Sequence, residues 1–202
     1  MKALILVDIQ NDLFPSGLRA TRDKERIVSV IQGIPTKFDL VVATQDWHPA
    51  DHSSFATVHG KQPGEVILVK GIEQMLWPVH CVQDTPGAQM VSGLPMNLVG
   101  KTFRKGMQPE TQGYSGFFDN DRRNPTGLGD HLKQAGVIDV YVAGVATDQC
   151  VKTTALDSQR LGYRTFLIED GCCGTDLVPG DVHRAIANMQ KFGIKLVKSQ
   201  QL

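Results

Sequence analysis

The sequence predicts an α/β domain built on a doubly wound, mostly parallel sheet with helices on both faces. Three observations predict it. Short β-rich runs alternate with amphipathic segments along the 202 residues. Several of those runs are almost continuously apolar, which is how strands covered on both faces read. The chain is also long enough to close one core and bury roughly 70% of its unfolded surface.

The elements follow in order. KALILVD (2–8) is a strand with no polar residue between Lys2 and Asp8, and KERIVSVIQGI (24–34) repeats apolar residues at helical spacing. DLVVATQD (39–46) is a second apolar strand and KTFRK (101–105) a third, more polar one. GLGDHLKQAG (127–136) reads as a helix opened and closed by glycine, VIDVYVAGV (137–145) as a central strand, and 148–161 as a helix with Thr147 as its N-cap. YRTFLIED (163–170), the helix DVHRAIANMQKFG (181–193) and IKLVK (194–198) complete the alternation, which implies right-handed crossovers between parallel strands. The stretch at about 47–99 breaks the rhythm. It is rich in His, Gly, Pro and Gln, and irregular insertions of that length usually carry function. With no repeat, linker or low-complexity tract, residues 1–202 read as a single domain bearing a metal- and substrate-binding insertion at about 47–99.

Composition narrows the partners. Lys plus Arg equals Asp plus Glu at 21 each, so no net charge draws the chain to nucleic acid or to an anionic membrane. The opening MKALILVDIQND has too short an apolar run for a signal peptide, and no run approaches the roughly 20 residues of a membrane span. A cytoplasmic protein with a small-molecule partner is expected; self-association into a homo-oligomer is left open. The four cysteines, Cys81, Cys150, Cys172 and Cys173, follow no CxxC spacing, so reduced thiols are the default.

In an open parallel sheet, ligands bind beyond the carboxyl ends of the strands, so what each strand ends on is informative. The first run ends at Asp8, the second at Asp46 with His48 beyond it, the third at Lys105, and the fourth leads through Gly144-Val145-Ala146 to Cys150. Each acid alone reads as a cap or turn former; four capable groups at one edge read as a site. Cys150 falls at the third helical position if Thr147 caps, where the helix dipole and a nearby lysine favour a thiolate. Backbone N–H groups of the preceding turn could serve an oxyanion, with Asp8 and Lys105 beside the sulfur. Asp46 and His48 form a D-x-H pair that His80 could complete as a metal set with open positions. His52 either ligates or hydrogen-bonds to a ligand, whereas His59, His131 and His183 look like surface residues. Cys172 and Cys173 read as buried packing residues. Trp47, Phe55, Trp77 and Tyr114 interleave with these groups; an aromatic wall would suit a flat ring, although most such residues are simply core.

VDIQND around Asp8, QDWHPADHSSFA around Asp46, LWPVHCVQDTPGA around His80, FRKG around Lys105, YSGFFDN from Tyr114 and GVATDQCV around Cys150, six motifs in order across nearly the whole chain, resemble nicotinamidases of the isochorismatase-like cysteine hydrolase superfamily. The resemblance implies the Rossmann-like three-layer sandwich of that superfamily and hydrolysis of nicotinamide to nicotinate and ammonia through a cysteine thioester. It implies Asp8, Lys105 and Cys150 as catalytic triad, and a cis peptide at Val145–Ala146 with the N–H groups of Ala146 and Cys150 as oxyanion hole. Asp46, His48 and His80 would hold one divalent metal ion, zinc in most of the family with iron or manganese as alternatives. Trp77 would stack on the pyridine ring whose nitrogen faces the metal, with Tyr114 and Leu13 as further substrate contacts. The family commonly has phenylalanine after VDIQND; here Leu13 precedes Phe14, so either the wall is less aromatic or a local shift brings in Phe14. The rival readings are a related cysteine amidohydrolase acting on another small amide and a non-enzymatic thiol redox or zinc-binding protein. Isochorismatase proper is disfavoured because that branch lacks the nucleophilic cysteine.

Overall fold

A computed structural model describes residues 1–14 and 24–202. Within it, β1 (Lys2–Val7), β2 (Leu40–Asp46), β5 (Lys101–Lys105), β6 (Asp139–Val145), β7 (Arg164–Cys173) and β8 (Lys195–Val197) form one six-stranded sheet in the order β5-β2-β1-β6-β7-β8. Every adjacent pair is parallel. The helices α1 (Lys24–Gly33), α2 (Leu128–Gln134), α3 (Lys152–Arg160) and α4 (Asp181–Lys191) fill the connections. From β1 the chain steps to β2 and β5 on one side, then returns to β6, β7 and β8 on the other. Right-handed crossovers running in opposite directions place their helices on opposite faces, so β1 and β6 flank the switch point where a crevice opens.

The central strands behave as their composition requires. Residues 3–7 of β1 and 140–145 of β6 are all buried, and each Val, Leu or Ile so enclosed is worth about 1.5–3 kcal/mol. Gly144 meets a steric demand at this crossing: it has φ +133, and a Cβ on it would lie 2.1 Å from the Val7 carbonyl oxygen. Only glycine lets β6 pass β1 this closely. The register with β7 shifts between Val142 and Gly144, which then pairs Gly144 with Cys172 and Val145 with Cys173. β7 therefore runs three residues past the 163–170 of the sequence reading, because Gly171, Cys172 and Cys173 continue the ladder beyond that irregularity.

Two other expectations are corrected. The irregular stretch contains a hairpin, β3 (Val66–Val69) and β4 (Ile72–Met75), turned at Lys70 and Gly71 with φ of 51° and 82°. That is the backbone of a two-residue hairpin turn with both central residues left-handed. Its outer face is apolar rather than alternating, since Leu68 is 70% exposed, which hid the strand period. The helix read from Asp148 begins instead as a π turn, Thr147–Val151, with Ala146 rather than Thr147 as N-cap, and becomes α-helical at Lys152. The Ala146 carbonyl accepts from both Gln149 and Val151 N–H, and this wider loop displaces the cap by one residue. Among the described residues, no helix is long and apolar enough to cross a membrane.

Candidate active site

Asp8 leaves the end of β1 with a left-handed φ of 47° and is fully buried. Its Oδ1 accepts a 2.7 Å hydrogen bond from the Thr44 hydroxyl of β2, and its Oδ2 lies 2.9 Å from the Lys105 ammonium. Lys105, the last residue of β5, is 3% exposed and turns that ammonium to four groups. Its Nζ donates to Asp46 Oδ1 at 2.5 Å, to the Gly113 carbonyl at 2.8 Å and to Cys150 Sγ at 3.4 Å, besides the pairing with Asp8. One cation thus sits between the β1 carboxylate, the β2 carboxylate and the thiol of the turn after β6. The peptide Val145–Ala146 leading into that turn is cis.

Burial governs the protonation of these groups. It pushes Asp8 up from 3.8 to about 6, with Lys105 opposing and Asp46 adding to the rise. It pushes Asp46 the same way, but Lys105, His48 and His80 outweigh it and leave Asp46 at about 2. Lys105 itself is held well above its usual value, since Asp46 and Asp8 overcome the burial that would lower it. The Cys150 thiol is pushed well up by burial, which Lys105 counters only in part. This corrects the expectation of a resting thiolate. Burial favours the neutral thiol of Cys150 beside the Asp8 carboxylate, because desolvation here outweighs both the cation and the helix terminus.

On the far side of Asp46 the insertion supplies imidazoles. Asp46, His48 and His80 are buried, and their ligating atoms lie within 4.8 Å of one another. His48 is pinned by backbone bonds to Cys81 and Gln83, and its Nδ1 donates to the Gly106 carbonyl at 2.8 Å. Nε2 therefore carries the lone pair; it is buried, has no hydrogen-bond partner, and sits 3.8 Å from Asp46 Oδ2. His80 Nδ1 likewise donates to the Pro78 carbonyl, which orients that ring. Burial holds His48 well below 6.5, in the neutral form a metal requires. Gly106 makes room for this ring: it has φ +62, and a Cβ would lie 2.3 Å from His48 Cε1. An orphaned neutral nitrogen, a second oriented imidazole and a carboxylate suit a divalent cation.

Not every predicted residue joins. His52 stacks on His48 at 4.2 Å, but its Nδ1 bonds Ser54 Oγ and its Nε2 the Thr111 carbonyl, so it buttresses the neighbouring ring. His59 and His183 are exposed as expected. His131 is not a plain surface residue, since its ring packs on Phe103 and its Nε2 is buried without a partner. Of the four aromatics, Trp77 and Tyr114 line the crevice with Leu13, Gln112, Ala146, Cys150 and Thr175. Trp47 lies under the Arg104 guanidinium and Phe55 packs against His48 and His80, because each is buried where its strand or turn enters the insertion. Leu13 meets the crevice while Phe14 is fully buried in the core, which answers the question of local shift. Trp77 Nε1 donates to the Tyr114 hydroxyl at 2.8 Å and ties the two walls together. Cys172 and Cys173 are buried as read, Cys172 with its thiol pushed up to about 12.

Three supporting residues were missed. Gln10 accepts from Asp46 N–H and donates to the Asp46 and Ala88 carbonyls, locking the backbone of that acid. Thr44 shares a strand face with Asp46 at period two, a signal the sequence did carry. Asp148 accepts from the loop after β7, at Thr175 and Asp176. A larger hollow of about 530 Å³, lined by Phe117, Phe118, Pro125 and Tyr163 among others, holds none of these reactive groups.

The model of the isochorismatase domain matches residues 2–201. The chain is 41% identical over 199 residues to a nicotinamidase of Escherichia coli (strain K12), covering 96% of this chain and 93% of the relative. Among solved structures it resembles a nicotinamidase/pyrazinamidase of Acinetobacter baumanii, with a TM-score of 0.95, 41% identity and coverage of 99% and 97%. It also resembles a pyrazinamidase of Pyrococcus horikoshii in complex with zinc, with a TM-score of 0.79, 37% identity and coverage of 98% of both chains.

Proposed function

The chain belongs to the isochorismatase family, and within it we propose that this protein is a metal-dependent amidohydrolase converting nicotinamide to nicotinate and ammonia. The observation that carries the reading is the buried ammonium of Lys105, which reaches Asp8, Asp46 and Cys150 at 2.9, 2.5 and 3.4 Å at the foot of a crevice walled by Trp77 and Tyr114. The relatives named nicotinamidase supply the substrate. Retention of a reduced Cys150 fits a cytoplasmic setting.

In the proposed mechanism Asp8 takes the Sγ proton of Cys150 and the sulfur bonds to the amide carbon. The carbonyl electron pair moves to oxygen, where the N–H groups of Ala146 and Cys150 hold it. Collapse breaks the C–N bond, and the amine leaves as ammonia with the proton from Asp8. Water then attacks the thioester, gives its proton to Asp8, and the C–S bond breaks to release the acid while the proton returns to sulfur. Lys105 keeps its proton throughout and stabilises the transient thiolate. Leu13, Trp77 and Tyr114 flank the ring. Asp46, His48 and His80 would hold the divalent ion, zinc as the finer assignment given two imidazoles and one carboxylate. A divalent ion held there would supply Lewis-acid chemistry beside the ring.

Ammonia release from nicotinamide by the metal-loaded protein tests the reading. Benzamide keeps the scissile amide and loses the ring nitrogen, so its kcat/KM should fall by more than the roughly 10- to 200-fold that shape alone accounts for. Comparable values for the two amides would favour a different natural substrate. For the metal, His48→Ala and His80→Ala should each lower bound metal and raise KM for nicotinamide, because either removes one of three ligands. Metal analysis of the purified variants checks this, and full wild-type occupancy in both would overturn the ligand set.

A further inference from the structure

We propose that Asp148 is a positioning residue for the reaction: its carboxylate clamps the turn that carries Ala146 and Cys150 to the loop after β7, and so holds the oxyanion donors in place. The inference rests on the nicotinamide reading and deepens it. Asp148 lies two residues after Ala146 and two before Cys150, and is 2% exposed. Its Oδ1 accepts from Thr175 N–H at 2.9 Å; its Oδ2 accepts from the Thr175 hydroxyl at 2.7 Å and from Asp176 N–H at 3.1 Å. Thr175 lines the crevice beside Val145, Ala146 and Cys150, so the clamp joins two walls of one pocket. Asp176, with a left-handed φ of 47°, in turn accepts from Val182 N–H at 3.1 Å in the first turn of α4. The packing is close: a Cβ on Gly174 would lie 2.8 Å from Asp148 Oδ1 and 2.2 Å from Val182 Cγ2.

The turn is fastened from both sides. Within it, the Ala146 carbonyl accepts from Gln149 and Val151, closing the π turn. Outside it, the Asp148 carboxylate reaches the loop beyond β7 with three hydrogen bonds. Burying a carboxylate costs several kcal/mol unless it is well paired, and an apolar residue could pack the same gap at no such cost. What the carboxylate adds is a fixed direction for the turn. Donors aimed at a developing oxyanion are effective only when they need no reorganisation as the reaction proceeds.

The clamp therefore acts on the transition state more than on the bound ring. In the metal-loaded enzyme, Asp148→Ala should lower kcat for nicotinamide about 100-fold, the order seen when an oxyanion donor is lost, with KM changed only a few-fold. Pyridine-3-carbaldehyde, which the thiol converts to a tetrahedral oxyanion, should lose affinity by a similar factor, while nicotinate, which forms none, should bind as to wild type. A merely structural role would weaken both ligands alike. Since Asp148→Ala could fail to fold, Thr175→Ala provides a second arm that removes one of the three bonds; it should lower kcat about 10-fold, and Thr175→Ser, which keeps the hydroxyl, should restore it. With wild-type turnover established, equal losses for aldehyde and nicotinate, or kcat unchanged in both Asp148→Ala and Thr175→Ala, overturn the positioning role alone. Absence of ammonia release by the wild-type enzyme overturns the functional reading itself, and this inference with it.

Discussion

Replacing Cys150 with alanine is expected to lower kcat for nicotinamide on the order of 10⁶-fold, the loss seen when the nucleophile of a covalent hydrolase is removed. Asp8 and Asp46 are both engaged by Lys105, and Cys150 is the one thiol lining the crevice. The substitution removes a single buried heavy atom, so destabilisation should stay near 1 kcal/mol. Metal content should persist, because Asp46, His48 and His80 are untouched. Ammonia release, circular dichroism and metal analysis on one preparation check all three points. Iodoacetamide gives an independent reading: although burial shifts the thiol up, Cys150 should be labelled ahead of Cys81, Cys172 and Cys173, which lie away from the crevice. Activity near the wild-type rate, or equal labelling of all four thiols, would remove Cys150 from the role of nucleophile.

The residues gathered at this site were legible because strands advertise their ends. KALILVD, DLVVATQD and VIDVYVAGV are so uniformly apolar that the first polar side chain past each had to lie at an edge, and parallel pairing puts those edges together. Reading what each strand ends on or leads to gathered Asp8, Asp46, Lys105 and Cys150 without knowledge of strand order, although KTFRK is not uniformly apolar and Cys150 lies past the first polar residue after its strand. It did not reveal that Lys105 faces both carboxylates at once, since the placement of β5 beside β2 is a tertiary fact. The insertion was less legible because its elements pair too briefly for a period to show: His48 bridges Val82 and Phe55 bridges Trp77 as isolated contacts. For the same reason aromatic composition could not tell Trp47 and Phe55, which pack, from Trp77 and Tyr114, which line the crevice. The resting state of the thiol was also beyond reach. A helix terminus and a lysine both argue for a thiolate, and only burial, which the sequence does not print, reverses the balance.

Lys105 links the proposed chemistry to the stability of the fold. Two buried carboxylates share one ammonium; burial, reinforced by the charge of Asp46, pushes Asp8 up to about 6, while Lys105 and the two imidazoles hold Asp46 at about 2. A carboxylate in that condition is a stronger base than an exposed aspartate and a poorer tenant of the core. The property that suits it to take a proton from Cys150 is the one that makes it costly to keep.

Asp8→Asn should therefore separate activity from stability. Loss of the base is expected to lower kcat about 10³- to 10⁴-fold, within the range assigned to general acid–base groups, and to slow alkylation of Cys150. In the metal-free protein, stability should move the other way. Asp8 titrates at 3.8 unfolded and about 6 folded, so between those values the folded state holds a proton that the unfolded state has released. The contribution of Asp8 to wild-type stability consequently falls as pH rises from about 4 to about 6, by up to about 3 kcal/mol, and the deficit persists above that window. Asparagine has no such titration and still offers Thr44 an acceptor oxygen, although it forgoes the ion pair with Lys105. Urea unfolding of both metal-free proteins at pH 4 and pH 7 should show the variant gaining on the wild type at the higher pH. A variant that instead loses ground between pH 4 and pH 7 would mean that the ionised carboxylate stabilises the fold, and that Asp8 is an ordinary ion-pair partner of Lys105 rather than a base held ready by burial.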